Sequence, residues 1–189
     1  HTTRKFTFIC FTDDSKGLDP NIQPRSLIEN WTGWWGKASI FSAEHNLSGL
    51  KFFIDLDMII TGSLDEILKF PGKFALMRTD EISCETQNKN GYNSSVILWR
   101  DNAAFEIIYK QLKEVFTEVT KYIYRFDYWL EMTVRNSEFV QDLFPGQIRD
   151  YTADCTGDTL PPDTRIVAFP RDPKPHEVKN CQWLDSHWK

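Results

Sequence analysis

The chain has 189 residues, 41% hydrophobic and 26% charged, a globular composition long enough to bury ~70% of its unfolded surface without disulfides or a structural metal. A formal net charge of −5 argues against a general nucleic-acid binder, which needs a basic footprint. No apolar run reaches the ~20 residues of a membrane span, and residues 1–5 run into strand-like sequence without a leader pattern.

Four cysteines, Cys10, Cys84, Cys155 and Cys181, lie far apart with no C-x-x-C pair. Zinc and thioredoxin-like chemistry are therefore disfavoured, and a reducing compartment is the simpler inference. The expectation is a soluble, cytoplasmic protein. Asn30, Asn46 and Asn93 each open an N-x-S/T triplet, which matters only in a secreted chain. Seven Trp and fourteen Phe suit either a well-packed core or a surface that stacks on sugars or bases.

In chain order, residues 6–11 (FTFICF) predict a short strand, stopped by turn chemistry at 12–17 (TDDSKG). Residues 50–60 (LKFFIDLDMII) carry the strongest strand signal. Ser63-Leu64-Asp65-Glu66 has the form of a capping box and predicts a helix directly after that strand. Strands follow at 74–77 (FALM) and 95–99 (SVILW), with another at 166–169. Asp101 is placed to cap a long helix with Ala104, Ile108, Leu112, Val115 and Val119 on one face. Residues 126–134 predict a further helix. From 145 onward Pro, Asp and Gly accumulate, and residues 146–189 read as an irregular tail wrapping a core of 1–145, anchored by Trp183 and Trp188. Strands alternating with helices predict an α/β domain with a central, mostly parallel mixed sheet, whose ligand sites lie at strand carboxyl ends.

Asp55 and Asp57 interrupt the apolar 50–60 run. In a continuous strand they face one way and Leu56 the other. Two carboxylates ~5 Å apart repel by about 3 kcal/mol at an effective dielectric near 20. Burial adds several kcal/mol per unpaired ion. Lys51 is the one basic residue nearby in sequence, so a hard divalent cation, Mn²⁺ or Mg²⁺, is the better neutraliser. A solvated strand end facing water is the plainer alternative.

Two enzyme classes place D-x-D at a strand end. The segment 52–59 resembles the nucleophile motif of haloacid-dehalogenase phosphohydrolases, with Asp55 as nucleophile. Against this, the stretch before Asp158 is polar, Pro161-Pro162 spoils the helix that should follow, and another strand precedes the motif.

The second resemblance covers nearly the whole chain. FTFICFTDD, GWWGKASIF, LKFFIDLDMIITGSLDEI, GYNSSVILW and DPKPHE occur in the order seen in bacterial and viral relatives of glycosyltransferase family 8, chlorovirus transferase domains among them. The resemblance implies a single GT-A domain over 1–189. It implies retaining transfer of a hexose or deoxyhexose from a nucleotide diphosphate sugar, UDP foremost, to a glycan or glycoprotein hydroxyl. It implies that Asp55 and Asp57 bind Mn²⁺ (or Mg²⁺) on the donor diphosphate, with Asp55 also touching the donor. Lys37 and Lys174 resemble basic residues that reach the donor phosphates or sugar. Asn93 and Ser94 match an asparagine motif near the donor sugar, and Thr12 and Asp13 face the nucleotide base. Trp34 and Trp35 suit sugar stacking or a place in the core. Asp127 resembles an acid near the transferring sugar, and Asp80 is placed to hold the acceptor; these two are the catalytic candidates.

The chain departs from the family pattern twice. A metal-binding histidine is expected beside Phe169, where Ala168 and Pro170 stand; His176, His187 or water and phosphate oxygens are the substitutes. Relatives also open with a strand–helix unit that contacts the base, so an incomplete base pocket is expected. A catalytically inactive sugar-nucleotide-binding module is the remaining alternative.

Overall fold

The computed structural model describes residues 1–79 and 90–188, which fall into two compact units. Asp80 and Cys84 lie outside the described residues. The first unit comprises His1–Thr3, Leu50–Trp99 and Asn136–Lys189; the second comprises Arg4–Gly49 and Arg100–Arg135.

The second unit opens with β1 (Phe8–Phe11) paired in parallel to β2 (Ile22–Arg25). Pro24 sits within β2, which the sequence did not mark as a strand; a two-stranded ribbon tolerates it because one edge needs no N–H donor. Residues Gly33–Phe41 (GWWGKASIF) form a 3-10 helix. Helix α1 (Asn102–Val119) is capped by Asp101, whose carboxylate accepts from the Ala104 N–H at 3.2 Å. Its buried strip runs through Ile108, Tyr109 and Leu112, while Val115 is exposed. The strip follows the aromatic partners: Trp31 stacks on Phe116 at 4.4 Å and tilts against Tyr109 at 5.9 Å. Helix α2 (Phe126–Thr133) buries Phe126, Trp129 and Leu130, and the Trp129 indole donates to the Ile108 carbonyl at 2.9 Å, tying α2 to α1.

The first unit holds two sheets. β3 (Lys51–Ile54), β5 (Phe74–Arg78), β6 (Tyr92–Trp99) and β7 (Glu138–Phe139) pair in the order β3-β6-β5-β7. β4 (Met58–Ile60), β8 (Ile148–Asp150) and β9 (Ile166–Ala168) pair in the order β4-β9-β8. The β3/β6, β5/β6 and β4/β9 pairs are antiparallel; β5/β7 and β8/β9 are parallel. The architecture is mixed α/β, as expected, but the described strands form three separate sheets, and the longest ladder, β5/β6, is antiparallel. Short helices α3 (Val140–Leu143), α4 (Tyr151–Asp154) and α5 (Gln182–His187) complete the unit.

The three-stranded sheet is covered on both faces. Met58, Ile166 and Ala168 join Phe70, Ala75, Val96, Leu98 and Val140 on one side. Ile59, Val167 and Phe169 join Tyr151, Cys155, Cys181, Trp183 and Leu184 on the other. Alternate residues of β4 and β9 thus feed different cores, the period of two a strand imposes. Two strands of this sheet come from the segment read as an irregular tail; Trp183 anchors that segment, whereas Trp188 is exposed.

Two expectations are corrected here. The 50–60 run is not one strand: β3 and β4 belong to different sheets, and Leu56 and Asp57 form a turn between them. Ser63 does not start an α-helix. Its hydroxyl accepts from Asp65 N–H at 3.2 Å, two residues on, and only a 3-10 turn follows at Ile67–Lys69. The Asp65 carboxylate is taken instead by Thr2 Oγ1 (2.5 Å), Thr3 Oγ1 (2.8 Å) and Thr3 N–H (3.0 Å). Glu66, the acid that a capping box would turn back on Ser63, pairs with Lys69 Nζ instead.

Candidate functional site

The turn carrying the two aspartates is fixed at both ends by backbone bonds. Asp55 N–H donates to the Ser95 carbonyl at 2.9 Å, extending the β3/β6 ladder by one residue. The Asp57 carbonyl accepts from Phe169 N–H at 3.0 Å, extending β4/β9. Between these anchors Leu56 is 92% exposed, so the apolar residue of the motif faces solvent.

Asp57 has a cationic partner that spacing alone did not reveal. Lys174 Nζ donates to Asp57 Oδ2 at 2.7 Å and to the Phe169 carbonyl at 2.7 Å. Each side chain of this pair is about one-third exposed. The Lys174 N–H donates to Glu177 Oε2 at 2.6 Å, and Glu177 N–H donates back to the Lys174 carbonyl at 2.9 Å, so the lysine is held at its base by the 3-10 turn Pro175–Glu177. It meets the backbone of Phe169, beside which the family resemblance implied a histidine.

The strand next to Asp55 brings in the asparagine motif. Asn93 Oδ1 accepts from Ser95 N–H at 2.9 Å, a local turn-like bond, and Ser94 is buried. A register shift between Leu76 and Met77 on β5 sets Asn93 opposite Met77; bulges of this kind re-aim side chains. The first unit therefore contains Asp55, Asp57, Asn93, Ser94 and Lys174, of which Lys174 and Asp57 are in direct contact. The donor set of Asp55 and Asp57, hard oxygens on a tight turn, fits Mn²⁺ or Mg²⁺ by type. Of the substitute ligands, His176 is exposed on the 3-10 turn, and the His187 ring lies 6.0 Å from that of His1. Among the described residues no cluster of three or more His, Cys, Asp or Glu forms a ready metal site.

The other candidates belong to the second unit. Thr12 and Asp13 stand in the turn after β1, where Thr12 Oγ1 donates to the Asp14 carbonyl (2.8 Å) and accepts from its N–H (3.1 Å). Trp35 is buried, edge-on to Phe116 and Phe126 at 5.7 and 6.4 Å. Trp34 is the exposed member of the pair and lies under the Arg125 guanidinium at 5.3 Å. Lys37 is half-buried in the same 3-10 helix. Asp127 stands in the first turn of α2, where an acid also favours the helix dipole.

No family model matches the chain, and no curated protein does. Among solved structures, the chain shares the fold of a bacterial glycosyltransferase. That neighbour is GlyE of Streptococcus pneumoniae TIGR4, with a TM-score of 0.61 and 15% sequence identity. The likeness covers 87% of this chain and 46% of GlyE, so the chain spans about half the length of its neighbour. Among the described residues no helix is long and apolar enough to cross a membrane.

Proposed function

We propose that this chain is the donor-binding part of a metal-dependent glycosyltransferase. It moves a hexose or deoxyhexose from a nucleotide diphosphate sugar, with UDP as the carrier, to a hydroxyl of a glycan or glycoprotein, with retention. The observation that carries this reading is the Asp55-Leu56-Asp57 turn, tethered between two sheets with Lys174 on Asp57, in a fold shared with a glycosyltransferase.

In this reading Asp55 and Asp57 hold Mn²⁺ or Mg²⁺. When bound, such an ion supplies Lewis-acid stabilisation of the departing diphosphate. Lys174 offers its ammonium to the same phosphates, as a compact point charge. Asn93 and Ser94, on the strand that pairs with the Asp55 backbone, are assigned to the donor sugar. Thr12, Asp13 and Lys37 take the nucleotide and its phosphates. Asp127 and Asp80 are assigned to the transferring sugar and the acceptor.

Calorimetric titration with UDP and a panel of UDP-sugars, with and without Mn²⁺, tests the assignment. Heat is expected only when the cation is present, and the sugar giving the tightest complex names the donor. Equal binding without the cation, or none with any nucleotide, refutes it.

A further inference from the structure

Lys174 is not a loose surface lysine. Its ammonium is shared between the Asp57 carboxylate and the Phe169 carbonyl, and its backbone is clamped to Glu177 on both sides. Phe169 closes the ring by donating its N–H to the carbonyl of Asp57. Asp57 thus already carries a neutralising cation, built into the chain and delivered from 117 residues away.

A carboxylate oxygen bonded to an ammonium at 2.7 Å is a poor ligand for a second cation. The incoming ion must displace the ammonium or sit against its positive charge. A diphosphate changes the balance. It brings several negative charges and fresh acceptor oxygens, so the released ammonium regains a charge-assisted partner.

We propose that Lys174 is a placeholder for the metal. It neutralises Asp57 in the donor-free protein, yields that carboxylate to the divalent cation, and swings onto the diphosphate that arrives with it. The proposal rests on the assignment of Asp55 and Asp57 to a donor-bound cation. Its consequence is coupled loading: the cation alone binds weakly, and the cation and nucleotide each tighten the other by the same factor. Lys174 acts on the cation through Asp57 and is in that respect a positioning residue.

The test is a titration of the protein with Mn²⁺, reading the free ion by electron paramagnetic resonance, with and without UDP. Lys174→Met keeps the length of the stem and removes the charge. With Mn²⁺ alone it should bind the ion at least fivefold more tightly than the parent protein, while the tightening produced by UDP falls at least fivefold. Unchanged or weaker Mn²⁺ binding in the folded variant overturns the proposal. If Lys174→Met does not fold, Glu177→Ala serves: it frees the base of the lysine without touching Asp57, and should also tighten Mn²⁺ alone, whereas an unchanged affinity overturns the idea. Failure of the underlying assignment looks different. Then neither the parent nor a variant takes up Mn²⁺, even with UDP present, and the placeholder role falls with it.

Discussion

Replacing Asp57 by Asn separates binding from stability. The variant preserves shape but removes the charge that holds Lys174 at 2.7 Å. Both partners are about one-third exposed, so solvent screens the pair and side-chain ordering offsets much of the attraction; the net loss is about 1 kcal/mol. For a chain of this size that lowers Tm by roughly 2–4 °C. The ligand effect is much larger. At a hundredfold excess over Kd, a bound ligand stabilises the folded state by about 2.7 kcal/mol, or roughly 5–10 °C. Thermal melts of the parent and Asp57→Asn proteins, each with Mn²⁺ and UDP, should show that shift in the parent and its loss in the variant. An equal shift in both proteins refutes the role of Asp57 in holding a cation. A fall beyond 10 °C without ligand makes Asp57 a structural residue instead.

Trp129→Phe removes the buried indole bond to the Ile108 carbonyl and leaves a smaller ring against α1; urea unfolding should show a loss of about 1–3 kcal/mol, and a loss under ~0.5 kcal/mol would deny the bond any weight. The Thr2 hydroxyl, with Thr3 and Ser63, pulls the Asp65 carboxyl down from 3.8 to about 2. Its folded value is depressed, so the stability it contributes is complete above the unfolded value and is lost as pH falls through about 2. A carbon-detected NMR titration should find that midpoint, and an ordinary carboxylate midpoint would show that the threonines do not hold it. Burial pushes the Cys155 thiol up to about 12, whereas Cys10 is half-buried. Iodoacetamide at mildly alkaline pH should therefore alkylate Cys10 before Cys155, read by peptide mass mapping, and equal labelling would contradict the packing around Cys155.

Local signals carried the elements whose causes are local. The Asp101 cap, the helix it opens and the strands around FALM, SVILW and residues 166–168 all stand where patterning predicts them. The largest error came from partners distant in sequence. The segment LKFFIDLDMII reads as one ribbon, because nothing within it tells β3, which joins β6, from β4, which joins β9. Ser63 has every local mark of a cap, but Glu66, the acid of the box, pairs with Lys69, and Thr2 and Thr3 hold the neighbouring Asp65. The aspartate pair was legible as a charge problem in need of a cation, and Asp57 proves to have one in Lys174. That lysine was visible in DPKPHE, yet only the folded chain brings it to Asp57. Trp34 and Trp35 are alike in sequence; neighbouring rings from α1 and α2 decide which is buried.

The bend at residues 55–57 is stitched into two ladders of different sheets, one stitch on either side. Its backbone is thus organised when the chain folds, not when something docks. On the proposed reading an ion would meet a backbone pinned on both sides, and its affinity would depend in part on how readily the aliphatic arm of Lys174 lets go.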